Sequence, residues 1–119
     1  MARQAPSIDA YGGGGFRLSG ERREGSLLIL GDEARSWEVA EPGGLTVVSV
    51  SPVLEAGRAQ VELLLLGMGA RSALPPRALR EAMLQAGIGL EYMDTPAAAR
   101  LYNLLTAEGR RVAAALIAI

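Results

Sequence analysis

The run Val112-Ala113-Ala114-Ala115-Leu116-Ile117-Ala118-Ile119 decides the fold. It carries no polar face, and it is far shorter than the roughly 18 apolar residues of a membrane-spanning helix. A short strand that is apolar on both faces is one covered on both faces. Val61–Leu66, aliphatic and β-branched, reads the same way and is broken by Gly67-Met68-Gly69. Between the two runs the period changes. Pro75-Pro76 opens a helix with Leu79, Ala82, Met83 and Ala86 on one face, and Gly87 stands at its expected C-terminal cap. Ile88–Met93 alternates, with Ile88, Leu90 and Tyr92 on one side and Gly89, Glu91 and Met93 on the other, as suits a strand further out. Asp94-Thr95-Pro96 supplies a capping side chain and a first-turn proline. The helix it starts runs through Ala97, Ala98, Leu101, Leu104 and Leu105 to Glu108, and Gly109 ends it. The expectation is a three-layer α/β domain with the C-terminal strand inside the sheet, near Val61–Leu66.

The first half reads as short strands and turns. Tyr11 and Phe16 flank Gly12-Gly13-Gly14-Gly15, and glycine's access to positive φ predicts a sharp turn or bulge there. Ser26–Leu30 is a compact apolar strand stopped by Gly31-Asp32. Ser36–Ala40 is expected as a further strand with Trp37 and Val39 on one face. Pro42-Gly43-Gly44 is a turn and Leu45–Val48 is β-prone. Ser49 or Ser51 then caps a short helix with Pro52 in its first turn, ending near Gly57. With 119 residues the chain makes one domain, 1–119, with 1–7 as a disordered N-terminal tail.

Composition excludes more chemistry than it offers. There is no Cys and no His. That removes disulfides, thiolate nucleophiles, Cys-based metal sites, the usual general base near neutral pH and the commonest metal ligand. All 12 basic residues are Arg, so Schiff-base lysines and the phosphate-loop lysine are missing too. No cofactor and no metal are implied, and the missing residue types weigh against an enzyme. Half of the residues are hydrophobic and the net charge is −1. A near-neutral chain lacks the clustered positive field that nucleic acid requires. Met1–Ser7 holds no apolar core of a secretory signal, and no run is long enough to span a membrane, so the expected location is cytoplasmic.

Few motifs survive scrutiny. Gly67-x-Gly69 after a buried strand, with Glu91 or Asp94 some twenty residues on, faintly echoes a dinucleotide fingerprint. Ser72 stands where the third glycine belongs, and the helix begins too late to aim its N-terminus at a pyrophosphate. A tight strand exit is the better reading. Asp9, Asp32, Glu33, Glu91, Asp94 and Glu108 are the carboxylates open to acid–base or metal chemistry, but acid–base work needs a buried, convergent pair. Asp32-Glu33 reads as the solvated end of a strand and Asp94 as a helix cap. Arg71, Arg77 and Arg80 follow the glycine loop and offer an anion-binding face. Arg77 and Glu81 also have the i,i+4 spacing of a solvated helix pair. If a ligand crevice exists, it lies at the strand ends, formed by Gly67, Met68, Gly69, Arg71, Arg80, Asp94 and Thr95.

The order of the residues carries a resemblance. Ile8-Asp9-Ala10-Tyr11, the glycines and Phe16 are followed by Gly25–Leu30, Trp37, Leu64–Gly69, Leu79-Arg80 and Gly87-Ile88. Asp94-Thr95-Pro96-Ala97-Ala98, Tyr102-Asn103-Leu104-Leu105 and Glu108–Leu116 complete it. Together they resemble the small uncharacterised bacterial proteins related to mitochondrial complex I assembly factor three, from Ile8 to Ile119. The resemblance implies a three-layer α/β domain around a mixed sheet, with the last strand in the middle and antiparallel to its neighbours. The mitochondrial relatives help assemble the membrane-bound NADH–quinone oxidoreductase without being subunits of it. The family's Gly-Thr-Gly is here Gly67-Met68-Gly69, which lacks the hydroxyl a polar role would use. Two readings follow. The first is a non-enzymatic interaction protein with protein partners, an assembly or biogenesis helper for a membrane respiratory complex. The second is a small-ligand or anion-binding domain, enzymes included, with its crevice at the Gly67-Met68-Gly69 loop.

Overall fold

β8 (Val112–Leu116) is buried at every residue and lies in the middle of a five-stranded sheet. Its neighbours are β4 (Leu27–Leu30) and β6 (Leu63–Gly67), and beyond these lie β5 (Glu33–Ser36) and β7 (Gly89–Met93) at the two edges. The computed structural model describes residues 5–119. The central placement of the C-terminal strand agrees with its two apolar faces. Its direction departs from the expectation: β8 is antiparallel to β4 but parallel to β6, which is parallel to β7. The cause is connectivity. β6, β7 and β8 are joined through helices that return the chain to the same end of the sheet, and such crossovers make strands parallel.

Two helices take the predicted positions, α2 (Arg77–Ala86) and α3 (Thr95–Ala107). The short α1 (Ser51–Ala56) carries Pro52 in its first turn and stops at Gly57, although neither Ser49 nor Ser51 caps it through a side chain. Alternate residues of the sheet face two separate cores. Leu28, Leu64, Leu66, Ala113 and Ala115 meet Leu79 and Met83 of α2 and Val53 of α1 on one side. Leu27, Ile29, Leu65, Val112, Ala114 and Leu116 meet Ala98, Ala99 and Tyr102 of α3 on the other. Small residues at the α3–β8 contact let the helix lie close.

A three-stranded antiparallel sheet shares that second face: β1 (Ile8–Gly12), β2 (Gly15–Leu18) and β3 (Glu21–Glu24). It contributes Ile8, Phe16 and Leu18 to the α3 core. Gly13 and Gly14, at φ of 62° and 83°, form the two-residue turn between β1 and β2. Both angles are those of a left-handed hairpin turn that side chains with a Cβ resist. The tail expected over 1–7 falls partly on residues 1–4, which lie outside the described residues. Ser7 accepts a 3.1 Å bond from the Ser19 amide.

Three expectations in the first half are corrected. The strand after Leu30 is Glu33–Ser36, so Glu33 opens a strand and Gly31-Asp32 is the hairpin turn. Trp37 and Val39 lie beyond it and are buried through tertiary packing. The Trp37 amide adds one rung to Ser26, and its indole N–H donates to the Ser49 carbonyl at 2.8 Å. Leu45–Val48 is no strand; a single helical turn, Val48–Val50, leads into α1. The Thr46 and Ser49 side chains bond the local backbone there, which favours a turn over a ladder.

Candidate functional site

The C-terminal ends of β6 and β8 and the start of α3 meet in a network around one buried side chain. Thr95 is fully buried. Its hydroxyl accepts the Gly69 amide at 3.0 Å and donates to the Ile117 carbonyl at 2.7 Å. Its own amide donates to the Gly69 carbonyl at 2.8 Å. The Ile117 amide donates to the Gly67 carbonyl, and the Met68 amide to the Met93 carbonyl. Gly67 is needed for closeness: a Cβ there would stand 2.8 Å from Leu116 Cδ2 and 2.9 Å from Thr95 Oγ1. Asp94, one residue earlier, caps α3 by accepting the Ala97 amide at 2.8 Å.

Beside this network lies a groove of about 740 Å³. Met68, Gly69 and Arg71 line one wall, and Pro42, Glu41 and Ile117 belong to its remaining lining. Of the residues expected at a crevice, the structure therefore brings Met68, Gly69 and Arg71 to the groove. Gly67, Asp94 and Thr95 sit behind it in the scaffold. Arg80 is elsewhere: its Nε donates to the Pro75 carbonyl at 3.1 Å, and the side chain lines a separate hollow with Leu84 and Tyr92. Arg77 pairs with Glu81 at 2.8 Å on the solvated face of α2. The three arginines do not converge. Glu41 and Ile117 were not foreseen at the groove, because the contact joins an irregular loop to a segment read only as strand.

The charged clusters brace backbone, and none of their residues lines the groove. Arg22 donates to the Gly12 and Gly13 carbonyls and to Glu24. That hydrogen bond holds the Glu24 carboxyl below its ordinary pKa and raises that of Arg22. Glu62 takes a hydrogen bond from Arg110, the main cause of its lowered pKa, and Arg111 adds to it. Asp9 accepts the Gly20 amide and the Ser7 hydroxyl, closing the β1–β2–β3 sheet. Among the described residues, no three His, Cys, Asp or Glu side chains gather as a metal site.

These features define a class: a three-layer α/β domain on a mixed sheet, with an open groove at the strand ends. The chain belongs to the protein family of unknown function DUF498/DUF598, matched over residues 8–117. It is 43% identical over 110 residues to an uncharacterised protein of Rhodobacter capsulatus, covering 92% of this chain and 82% of that one. It is 36% identical over 118 residues to human NADH dehydrogenase (ubiquinone) 1 alpha subcomplex assembly factor 3. That match covers 98% of this chain but only 62% of the human protein. The crystal structure of an outer membrane protein from Bartonella henselae superposes with a TM-score of 0.90 at 36% identity, covering 99% of this chain and 98% of the other. Among the described residues, no helix is long and apolar enough to cross a membrane.

Proposed function

We propose that this chain is a non-enzymatic interaction protein that helps assemble a membrane-bound respiratory complex, the NADH–quinone oxidoreductase, acting from the cytoplasm. The observation that carries the reading is the 36% identity to the human assembly factor along 98% of this chain. The absence of Cys, His and Lys from the sequence supports it, since thiolate, imidazole and amine chemistry are missing. Its partners are proteins. The test is deletion of the gene in the native host, followed by native electrophoresis of solubilised membranes and an NADH–quinone reductase assay. Loss of the assembled complex, restored by the wild-type chain, is expected. Full assembly in the deletion strain overturns the reading.

The groove favours a second reading, a small-ligand domain. Arg71 is the one arginine of the expected three that lines it, and a guanidinium suits planar anions. A saturable rise in Tm with a carboxylic acid, phosphate or nucleotide, abolished by Arg71→Ala, decides for it.

A further inference from the structure

The two edges of the large sheet are treated differently. On β5, the outward carbonyl of Ala34 is occupied by Arg23 of the small sheet at 3.1 Å. On β7 no described strand covers the outer side. The Gly89 amide donates to Glu62 and the Met93 carbonyl accepts from Met68, so the odd-numbered residues direct their backbone groups at β6. Leu90 and Tyr92 therefore present their N–H and C=O groups outward, and among the described residues β7 pairs with no other strand. Natural sheets blunt such edges with charged side chains, lysine above all, with proline or with a bulge. Gly89-Leu90-Glu91-Tyr92-Met93 has no lysine, proline or bulge and carries a single charge, Glu91. Along the same edge runs a largely apolar hollow of about 340 Å³, lined by Met83, Leu84, Ile88, Leu90 and Tyr92 and by Arg80, whose Nε is bonded to the Pro75 carbonyl. Leu84 is 80% exposed and Tyr92 37%.

The geometry points to β7 as a strand-addition site for an extended segment of another protein with an apolar–basic–apolar pattern. The inference deepens the interaction reading, and it rests on that reading for the partner being a protein. Main-chain bonds to Leu90 and Tyr92 supply the attachment, and alternate side chains fill the hollow beside Leu84. Charge argues against a second copy. Antiparallel self-pairing that uses all four outward groups on each strand sets Leu90 against Tyr92. It places Glu91 against Glu91 of the other copy as the non-hydrogen-bonded pair, where side chains approach most closely. A foreign strand with Lys or Arg at that position gains an ion pair instead.

The probe is an acetylated Thr-Val-Lys-Val-Thr peptide, with a twin carrying Glu in place of Lys, titrated into the labelled full chain by NMR. The expected result is a saturable shift and slowed exchange at the Leu90 and Tyr92 amides with the Lys peptide. Glu91→Lys should weaken that peptide by about fivefold and make the Glu twin the better ligand. Tyr92→Pro removes one outward N–H without touching the bonds to β6, and should weaken both. No response at Leu90 and Tyr92 at millimolar peptide overturns the proposal, as does equal binding of the two peptides. So does a concentration-dependent dimer of the chain alone that protects these amides. The two readings fail separately. If the deletion strain keeps its respiratory complex while the peptide binds, the assembly role falls and the edge site stands. If the complex is lost and neither peptide binds, only the edge site falls.

Discussion

The Thr95 hydroxyl donates to the Ile117 carbonyl across 22 residues of sequence, at 2.7 Å and fully buried. Through the same oxygen it accepts the Gly69 amide, so one side chain ties α3 to the exits of β6 and β8. Thr95→Val keeps the shape and strands both backbone groups, at about 1–3 kcal/mol for each buried group left unpaired. Urea unfolding should show a lower midpoint with an unchanged slope, and Thr95→Ser should recover most of the loss.

Asp94 tests capping apart from that network. Its carboxylate accepts only the Ala97 amide among the bonds described. Asp94→Ala should cost about 1 kcal/mol, and Asp94→Asn much less. The expected loss is in stability alone; a variant of normal stability that no longer assembles the respiratory complex would make Asp94 a contact residue.

Gly67→Ala forces a methyl against Leu116 and Thr95. Overpacking of this kind costs about 1–3 kcal/mol. Thermal unfolding should show the drop, and Gly67→Ala combined with Leu116→Ala should lose less than the sum of the two single variants.

Acid should weaken the Glu62 cluster. The folded-state pKa of Glu62 lies below its ordinary value because Arg110 hydrogen-bonds the charged form. Its contribution is therefore complete above the unfolded pKa, about 4.3, and is lost as pH falls through the lower folded value. The Tm advantage of the wild type over Glu62→Gln should be constant near neutrality and shrink below about pH 4.

For the groove, the interaction reading expects no change in Tm with phosphate, nucleotides or carboxylic acids. Differential scanning fluorimetry of wild type and Arg71→Ala checks this directly.

Local signals marked the second half of the fold well. The doubly apolar β8, the alternation in β7 and the Asp94-Thr95-Pro96 start of α3 each reflect a periodicity or a cap that neighbouring residues determine. Trp37 and Val39 read as strand residues in the sequence because their alternation has two causes. It fits a strand, and it equally fits an extended segment crossing a core, as it does here. The strand–helix–strand alternation of the second half already implied that β8 runs parallel to β6, and the antiparallel expectation came from the resemblance alone. At the site, Gly67, Thr95 and Ile117 are brought together by tertiary contact. The glycines announced a tight passage, but the sequence did not reveal that the neighbour pressing on Gly67 would be a threonine far along the chain.

The strand order β5-β4-β8-β6-β7 also bears on how the molecule assembles itself. The β4–β5 hairpin and the β6–β7 pair share no backbone rung; each is bonded to β8. During synthesis the sheet cannot close until Leu116 has left the ribosome, so both halves wait with bare hydrogen-bonding edges where β8 will insert. Long-range pairings of this kind fold slowly and leave the nascent chain open to wrong partners.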